Sequence, residues 1–300
     1  MQTMGDKVSI IMNCYNGEEY LREAINSVIA QTYENWDLIF WDNRSTDNSA
    51  QIFQEFKDIR FRYFLAPSHT LLYEARSMAM QKVSGEYIAF LDVDDWWEPE
   101  KIAQQIPFFK NKDVAVVYGN YWLKNERKKQ DIVIANKRKL PQGLVLDALL
   151  KDYVVGILTI MIRRSAIESL DKCFDTHYQI IGDYDLIIRL AAEYKFACVQ
   201  KPIAFYRWHG KNTSFVQSDR ELAEVEHWIK NISHDKRISS NLNLIYVKNR
   251  LIFQKVLNAL KCGKRKYALH LCINHPWGLM KLKLFAVLIV PYAIIDKLRA

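Results

Sequence analysis

Four apolar stretches, VSIIMNCY (8–15), DLIFWD (37–42), RFRYFLA (60–66) and EYIAFLD (86–92), alternate with helix-spaced segments through the first hundred residues. Runs of this kind read as strands buried on both faces, and their regular alternation with helices argues for an α/β fold with a mostly parallel sheet. Leu21, Ala24, Ile25, Val28 and Ile29 fall at helical spacing behind Asn16-Gly-Glu-Glu19, which reads as a helix start with Asn16 as the N-cap. The spacing predicts further helices from about Thr46 to Lys57 and from about Leu71 to Val83. Half of the 300 residues are hydrophobic, enough for a substantial core.

In such sheets ligands sit outside the carboxyl ends of the strands, and both Asp42 and Asp92 fall at such ends. The stretch YIAFLDVDDWWEP (87–99) delivers three carboxylates together, Asp92, Asp94 and Asp95. Ionised carboxylates cost several kcal/mol to bury without a cation. Two readings stay open from the residues alone: aspartates that cap the next helix, or aspartates that hold Mg²⁺ or Mn²⁺, which take one or two carboxylates plus substrate phosphates.

Pro99 suits the first turn of a helix. VAVVYGNYWL (114–123) reads as a strand and NERKKQD (125–131) as an exposed hairpin or loop. LTIMIRRSAIESL reads as a strand running into a helix, GDYDLIIRLAAEY as a loop opening onto an amphipathic helix, and PIAFYRWHGKNTS as a segment ending in turn residues. Beyond it the pattern is helical throughout. A catalytic unit over 1–215 and a helical unit over 216–300 are expected.

The segments VSIIMNCYNGEEYLREAINSVIAQTYENWDLIFWDNRSTDNS, ARSMAMQKVSGEYIAFLDVDD and IIGDYDLIIRL resemble the successive motifs of glycosyltransferase family 2, over roughly residues 7 to 215. That resemblance implies a GT-A fold, Rossmann-like with a helical C-terminal extension, and an inverting, metal-dependent transfer from a nucleotide sugar. It implies that Tyr15 stacks on the base, that Asn13 lines the same pocket, and that Asp42 accepts an imide N–H, which favours a UDP-sugar. Arg76 would contact the nucleotide or its diphosphate. Asp92 would touch the ribose or the metal's water, Asp94 would be the main ligand of Mn²⁺ or Mg²⁺, and Asp95 would coordinate or cap. Asp183 matches the general base, with Asp185 supporting its loop. His209 resembles a later element in which histidine completes the metal site or touches the diphosphate, and Arg207 and Lys211 would add charge there.

The chain departs from the family pattern at three places. Asp42-Asn43-Arg44-Ser45 stands where D-D-G-S is common, Ser77 where asparagine is usual, and Gly182 where an acid is frequent.

The net charge of +8 is unevenly spread: from Lys248 to Ala300 there are eleven Lys or Arg against Asp296 alone, which leaves −2 for the first 247 residues. The basic tail also carries the apolar run Leu284–Ile295. A helix of that length spans about 18 Å, short of a bilayer core of about 30 Å. Basic charge beside apolar residues points to an anionic membrane surface over 277–299, with Lys281, Lys283, Lys297 and Arg299 among headgroups, and away from nucleic acid. A core helix is the alternative. Five scattered cysteines without C-x-x-C spacing fit a reducing compartment, and the N-terminus shows no h-region. The expected setting is cytoplasmic, peripheral on the inner face of the cell membrane, acting on a glycan or lipid-linked acceptor. A D-x-D phosphatase and a membrane-tethered scaffold that binds nucleotide without turnover are the rival readings.

Overall fold

The first strand, Val8–Cys14 (β1), is buried at every position, and so are Trp36–Asp42 (β2) and Tyr87–Phe90 (β4). With Phe61–Leu65 (β3) they form a parallel block in the order β3-β2-β1-β4. The computed structural model, which describes residues 6–126, 132–210, 212 and 218–290, extends this block with strands of mixed direction. Met161–Arg163 (β8) runs antiparallel to both β4 and Val114–Asn125 (β6). The long strand Lys195–Trp208 (β9) then pairs parallel with β6, and Trp96–Trp97 (β5) antiparallel with β9. Ile132–Ile134 (β7) forms a hairpin with β6; residues 127–131 of the expected hairpin lie outside the described residues.

Helices Leu21–Ile29 (α1), Ser49–Glu55 (α2) and Leu72–Met80 (α3) link the parallel strands. The inner face of α1, Leu21, Ala24, Ile25 and Val28, joins Val8, Ile10 and Met12 of β1 and Leu38 and Phe40 of β2 in one core. Each of these side chains apart from Ala24 contributes roughly 1.5–3 kcal/mol by leaving water. Later come Lys101–Gln105 (α4), Leu146–Lys151 (α5), Arg164–Glu168 (α6) and Gly182–Ala191 (α7).

One reading of local structure is corrected, and one strand is new. Asn16 does not cap α1, which starts five residues later; it takes a left-handed backbone, φ +54, and its Oδ1 accepts from the Thr46 N–H at 2.8 Å. Glu18 likewise accepts from the Asn48 N–H and Asp47 from the Glu18 N–H, so the loops after β1 and β2 are stitched together. The new strand is β9, 14 residues long and running through Gln200-Lys201-Pro202, where the sequence offers no clean strand pattern. Proline belongs in a sheet only at an edge or an irregularity. Pro202 faces Asn120 where the register against β6 shifts.

The chain divides into two compact units, Met1–Val216 and Gln217–Ala300. The second contains Ser218–Asn231 (α8), Leu244–Lys261 (α9), Arg265–Asn274 (α10) and Leu279–Ile289 (α11). Val256, Ala259, Ala268, Cys272 and Leu284 form its own small core. Among the described residues no helix is long and apolar enough to cross a membrane; the end of the 277–299 segment lies outside them. Lys281, expected among headgroups, is buried: its Nζ donates to the Ile273 carbonyl at 2.6 Å and lies 4.6 Å from the centre of the Trp277 ring. A cation there meets the negative end of α10.

Candidate active site

Because β2, β1 and β4 are adjacent and parallel, Asp42, Asn13 and Asp92 come to the same edge of the sheet. Asn13 is 9% exposed, and neither its amide nitrogen nor its oxygen has a hydrogen-bond partner among the described residues. Such a group carries a desolvation penalty of about 1–3 kcal/mol until something binds it. Asp42 is almost fully buried; one oxygen accepts from the Ser45 N–H and the other from the Tyr63 hydroxyl, both at 2.7 Å. Burial, followed by that hydrogen bond, drives the Tyr63 phenol far above its ordinary range. Tyr15 is half exposed and its ring lies 4.1 Å from His69, centre to centre. His69 Nδ1 in turn meets the Asn43 carbonyl at 3.0 Å. Asn43 replaces the family's second acid with an amide that both donates to the Thr70 carbonyl and accepts from the Thr70 N–H. A carboxylate cannot do both.

The acidic turn after β4 is fastened from several sides. Arg76 Nη2 donates to Asp92 Oδ1 at 2.5 Å from a guanidinium that is almost wholly buried. Asp94 Oδ2 meets His209 Nε2 at 3.0 Å, and the His209 ring stacks on Tyr20. Asp95 is buried and accepts from the Arg207 N–H at 2.9 Å. Burial, and then the charges of Asp94 and Asp92, push its carboxyl well above the usual range. Arg207 donates from Nε to the Asp94 carbonyl and pairs with Glu23 and Glu126, its guanidinium lying 4.5 Å from both the Tyr20 and Trp96 ring centres.

Arg76 is expected at the nucleotide or its diphosphate, and Arg207 beside the His209 element. Each is buried and paired with acids of the protein, Arg76 with Asp92 and Arg207 with Glu23 and Glu126. Lys211 lies outside the described residues. Among the described residues no three acid, histidine or cysteine side chains stand together as a ready metal cluster. Asp94 and His209 do present an oxygen and a nitrogen to one another, with Asp92 two residues away. That set fits a cation whose remaining ligands come from phosphate.

Asp183 lies in the first turn of α7. Its Oδ1 accepts from the Tyr73 hydroxyl at 3.0 Å and from the Tyr184 N–H at 2.8 Å. Burial raises its carboxyl above the ordinary range, and Arg76 and the Tyr73 bond pull it back. Arg76 lies 5.3 Å from the Tyr73 ring centre. A continuous path therefore runs from Asp183 through Tyr73 and Arg76 to Asp92. Asp185 instead pairs with Arg189, which holds the carbonyls of Lys172 and Cys173. Tyr73, His69 and Glu126 lie outside the quoted motifs, and Glu23, inside the first of them, was assigned no role.

Sheet and edge define an α/β protein of GT-A type. The mannosyltransferase PcManGT from Pyrobaculum calidifontis, solved in complex with GDP-Man and Mn2+, superposes with TM-score 0.59 at 14% identity, covering 95% of this chain and 86% of that one. Staphylococcus aureus TarS 1–349 in complex with UDP-GlcNAc gives 0.56 at 15% identity over 83% and 81%. A model of glycosyl transferase family 2 matches residues 9–170, and the chain belongs to that family. It is 36% identical over 158 residues to the Escherichia coli UDP-Glc:alpha-D-GlcNAc-diphosphoundecaprenol beta-1,3-glucosyltransferase WfgD, covering 53% of this chain and 60% of that protein. WfaP of Escherichia coli, named for the same activity, is 31% identical, covering 54% of this chain and 63% of that protein. These matches reach less than two thirds of the relatives' own length.

Proposed function

We propose that the chain transfers a sugar from a nucleotide sugar, a UDP-sugar, to a hydroxyl of a lipid-linked glycan in surface polysaccharide synthesis, with inversion. The observation that carries this reading is the path Asp183–Tyr73–Arg76–Asp92, which joins a carboxylate on α7 to the acidic turn after β4. Asn13, Tyr15 and Asp42 hold the nucleoside, the unpartnered Asn13 amide being satisfied by it. Asp92 contacts the ribose or the cation's water. Asp94 and His209, with Asp92, would hold Mn²⁺ or Mg²⁺, which when bound neutralises the charge of the departing diphosphate. Arg76 and Arg207 keep the acidic turn in place, Arg76 by neutralising Asp92.

Asp183 accepts the proton of the acceptor hydroxyl. Burial makes it a stronger base than a solvated carboxylate, while the charge of Arg76 pulls in the opposite direction. The donor and acceptor classes are supported by the activity for which WfgD is named, and a metal–nucleotide pairing by PcManGT. Exposed Trp277 and Leu279 in the basic tail support contact with an anionic membrane, at its inner face.

Thermal melting with a panel of UDP- and GDP-sugars, with and without Mn²⁺, tests the reading. A UDP-sugar should give a Mn²⁺-dependent rise that Asp94→Ala abolishes. Asp183→Asn should keep that rise and lower transfer about 10²–10⁴-fold, the usual worth of a positioned base. Full transfer by Asp183→Asn would remove the base assignment.

A further inference from the structure

We infer that Tyr73 is the residue that positions the Asp183 carboxylate for proton abstraction, and that Gly182 is the residue that makes room for it. The inference rests on the reading of Asp183 as the base. Tyr73 is buried on α3, and its ring lies against the backbone of Gly182. A Cβ at Gly182 would fall 2.6–2.8 Å from three carbons of that ring, closer than real Cβ contacts come. The ring is held further by Phe174, 5.3 Å away between centres, and by Arg76. The family frequently carries an acid at this place. Here the volume beside the base is occupied by a phenol instead, which supplies a donor where an acid would supply a second negative charge.

The hydroxyl is 3.0 Å from Asp183 Oδ1 and also 3.0 Å from the Ile180 carbonyl. A phenol has one proton to donate. It serves Asp183 while the carboxylate is ionised, and Ile180 gives it a partner when Asp183 has taken up a proton. No buried donor is stranded at either stage. Both hydrogen bonds to Asp183 among the described residues fall on Oδ1. Oδ2 is therefore the oxygen oriented to receive the acceptor's proton: the O–H bond breaks, the new bond forms on Oδ2, and the hydroxyl oxygen's electron pair attacks the anomeric carbon as the nucleoside diphosphate leaves.

The test uses the full chain, sugar transfer and its pH profile. Tyr73→Phe keeps the ring and removes the donor. It should lower kcat about tenfold, the worth of a hydrogen bond to a charged group, with the KM for the donor sugar unchanged. The acidic limb of kcat should move to higher pH, because a bond to the ionised form has been lost. Replacing Tyr73 with 3,5-difluorotyrosine, a stronger donor that preserves packing, should move the limb to lower pH. Arg76, Asp92, Tyr121, Tyr153 and Tyr184 also surround Asp183 and are unchanged in both variants, so opposite shifts isolate the phenol. Limbs that stay fixed, or move together, would overturn the inference. Asp183→Asn distinguishes the deeper failure: if it retains transfer, the base reading falls, whereas its loss with unmoved limbs removes only the role of Tyr73.

Discussion

Arg44 holds a left-handed backbone, φ +67, where the family pattern has glycine. A side chain in that region costs about 1–2 kcal/mol. Its guanidinium recovers part of this by donating to the Pro67 carbonyl at 2.6 Å. Arg44→Gly should be more stable than Arg44→Ala by about 1 kcal/mol in urea unfolding, since only the backbone preference separates the two. Lys101 is fully buried; its Nζ lies 4.0 Å from the Trp97 ring centre and makes a long 3.4 Å contact to the Ile160 carbonyl. Burial alone holds its amine well below the ordinary lysine range. The unfolded chain therefore binds the proton more readily, and stability should rise with pH from the depressed native value up to the unfolded value of about 10.4. Lys101→Met should flatten that rise and stabilise the chain by about 1–3 kcal/mol at pH 7, read by urea unfolding across pH. Legibility at this scale followed sequence distance. Asp92, Asp94 and Asp95 announce themselves as neighbours, whereas Tyr73 meets Asp183 across 110 positions and Arg207 meets Glu23 across 184.

At the level of elements, β1, β2 and β4 were readable because strands covered on both faces are written as unbroken apolar runs. β9 was not, because Gln200-Lys201-Pro202 interrupts its run and only the paired strand shows that a register irregularity accommodates the proline. The start of α1 was misread for a related reason: Asn16 has cap chemistry but spends it on the neighbouring loop. The outer end of β9 holds the acidic turn through the Arg207 backbone and side chain. Arg207→Ala removes the guanidinium shared by Glu23 and Glu126, leaving Glu126 with Lys124 at 3.3 Å. It should cost about 1–3 kcal/mol in denaturant unfolding and weaken Mn²⁺-dependent nucleotide binding, measured by titration calorimetry. Unchanged binding by a folded variant would separate the clamp from the site.

On the scale of the whole molecule, the tail's charge and apolar run were plain in composition, but the burial of Lys281 was not, because a lysine's sequence neighbours do not reveal which carbonyl it reaches. Trp277 is 81% and Leu279 is 87% exposed. A full-length Trp277→Glu/Leu279→Glu variant should retain its melting temperature and lose most co-sedimentation with anionic phosphatidylserine vesicles. Equal sedimentation of both proteins would place membrane contact elsewhere. The irregular pairing of β9 has a consequence for the acidic turn. Alternate side chains of a strand point to opposite faces, so gaining or losing one residue between Val199 and Trp208 would swap Arg207 with its neighbour and release the turn. A one-residue insertion in that span should therefore loosen the acidic turn as Arg207→Ala does and draw His209 away from Asp94.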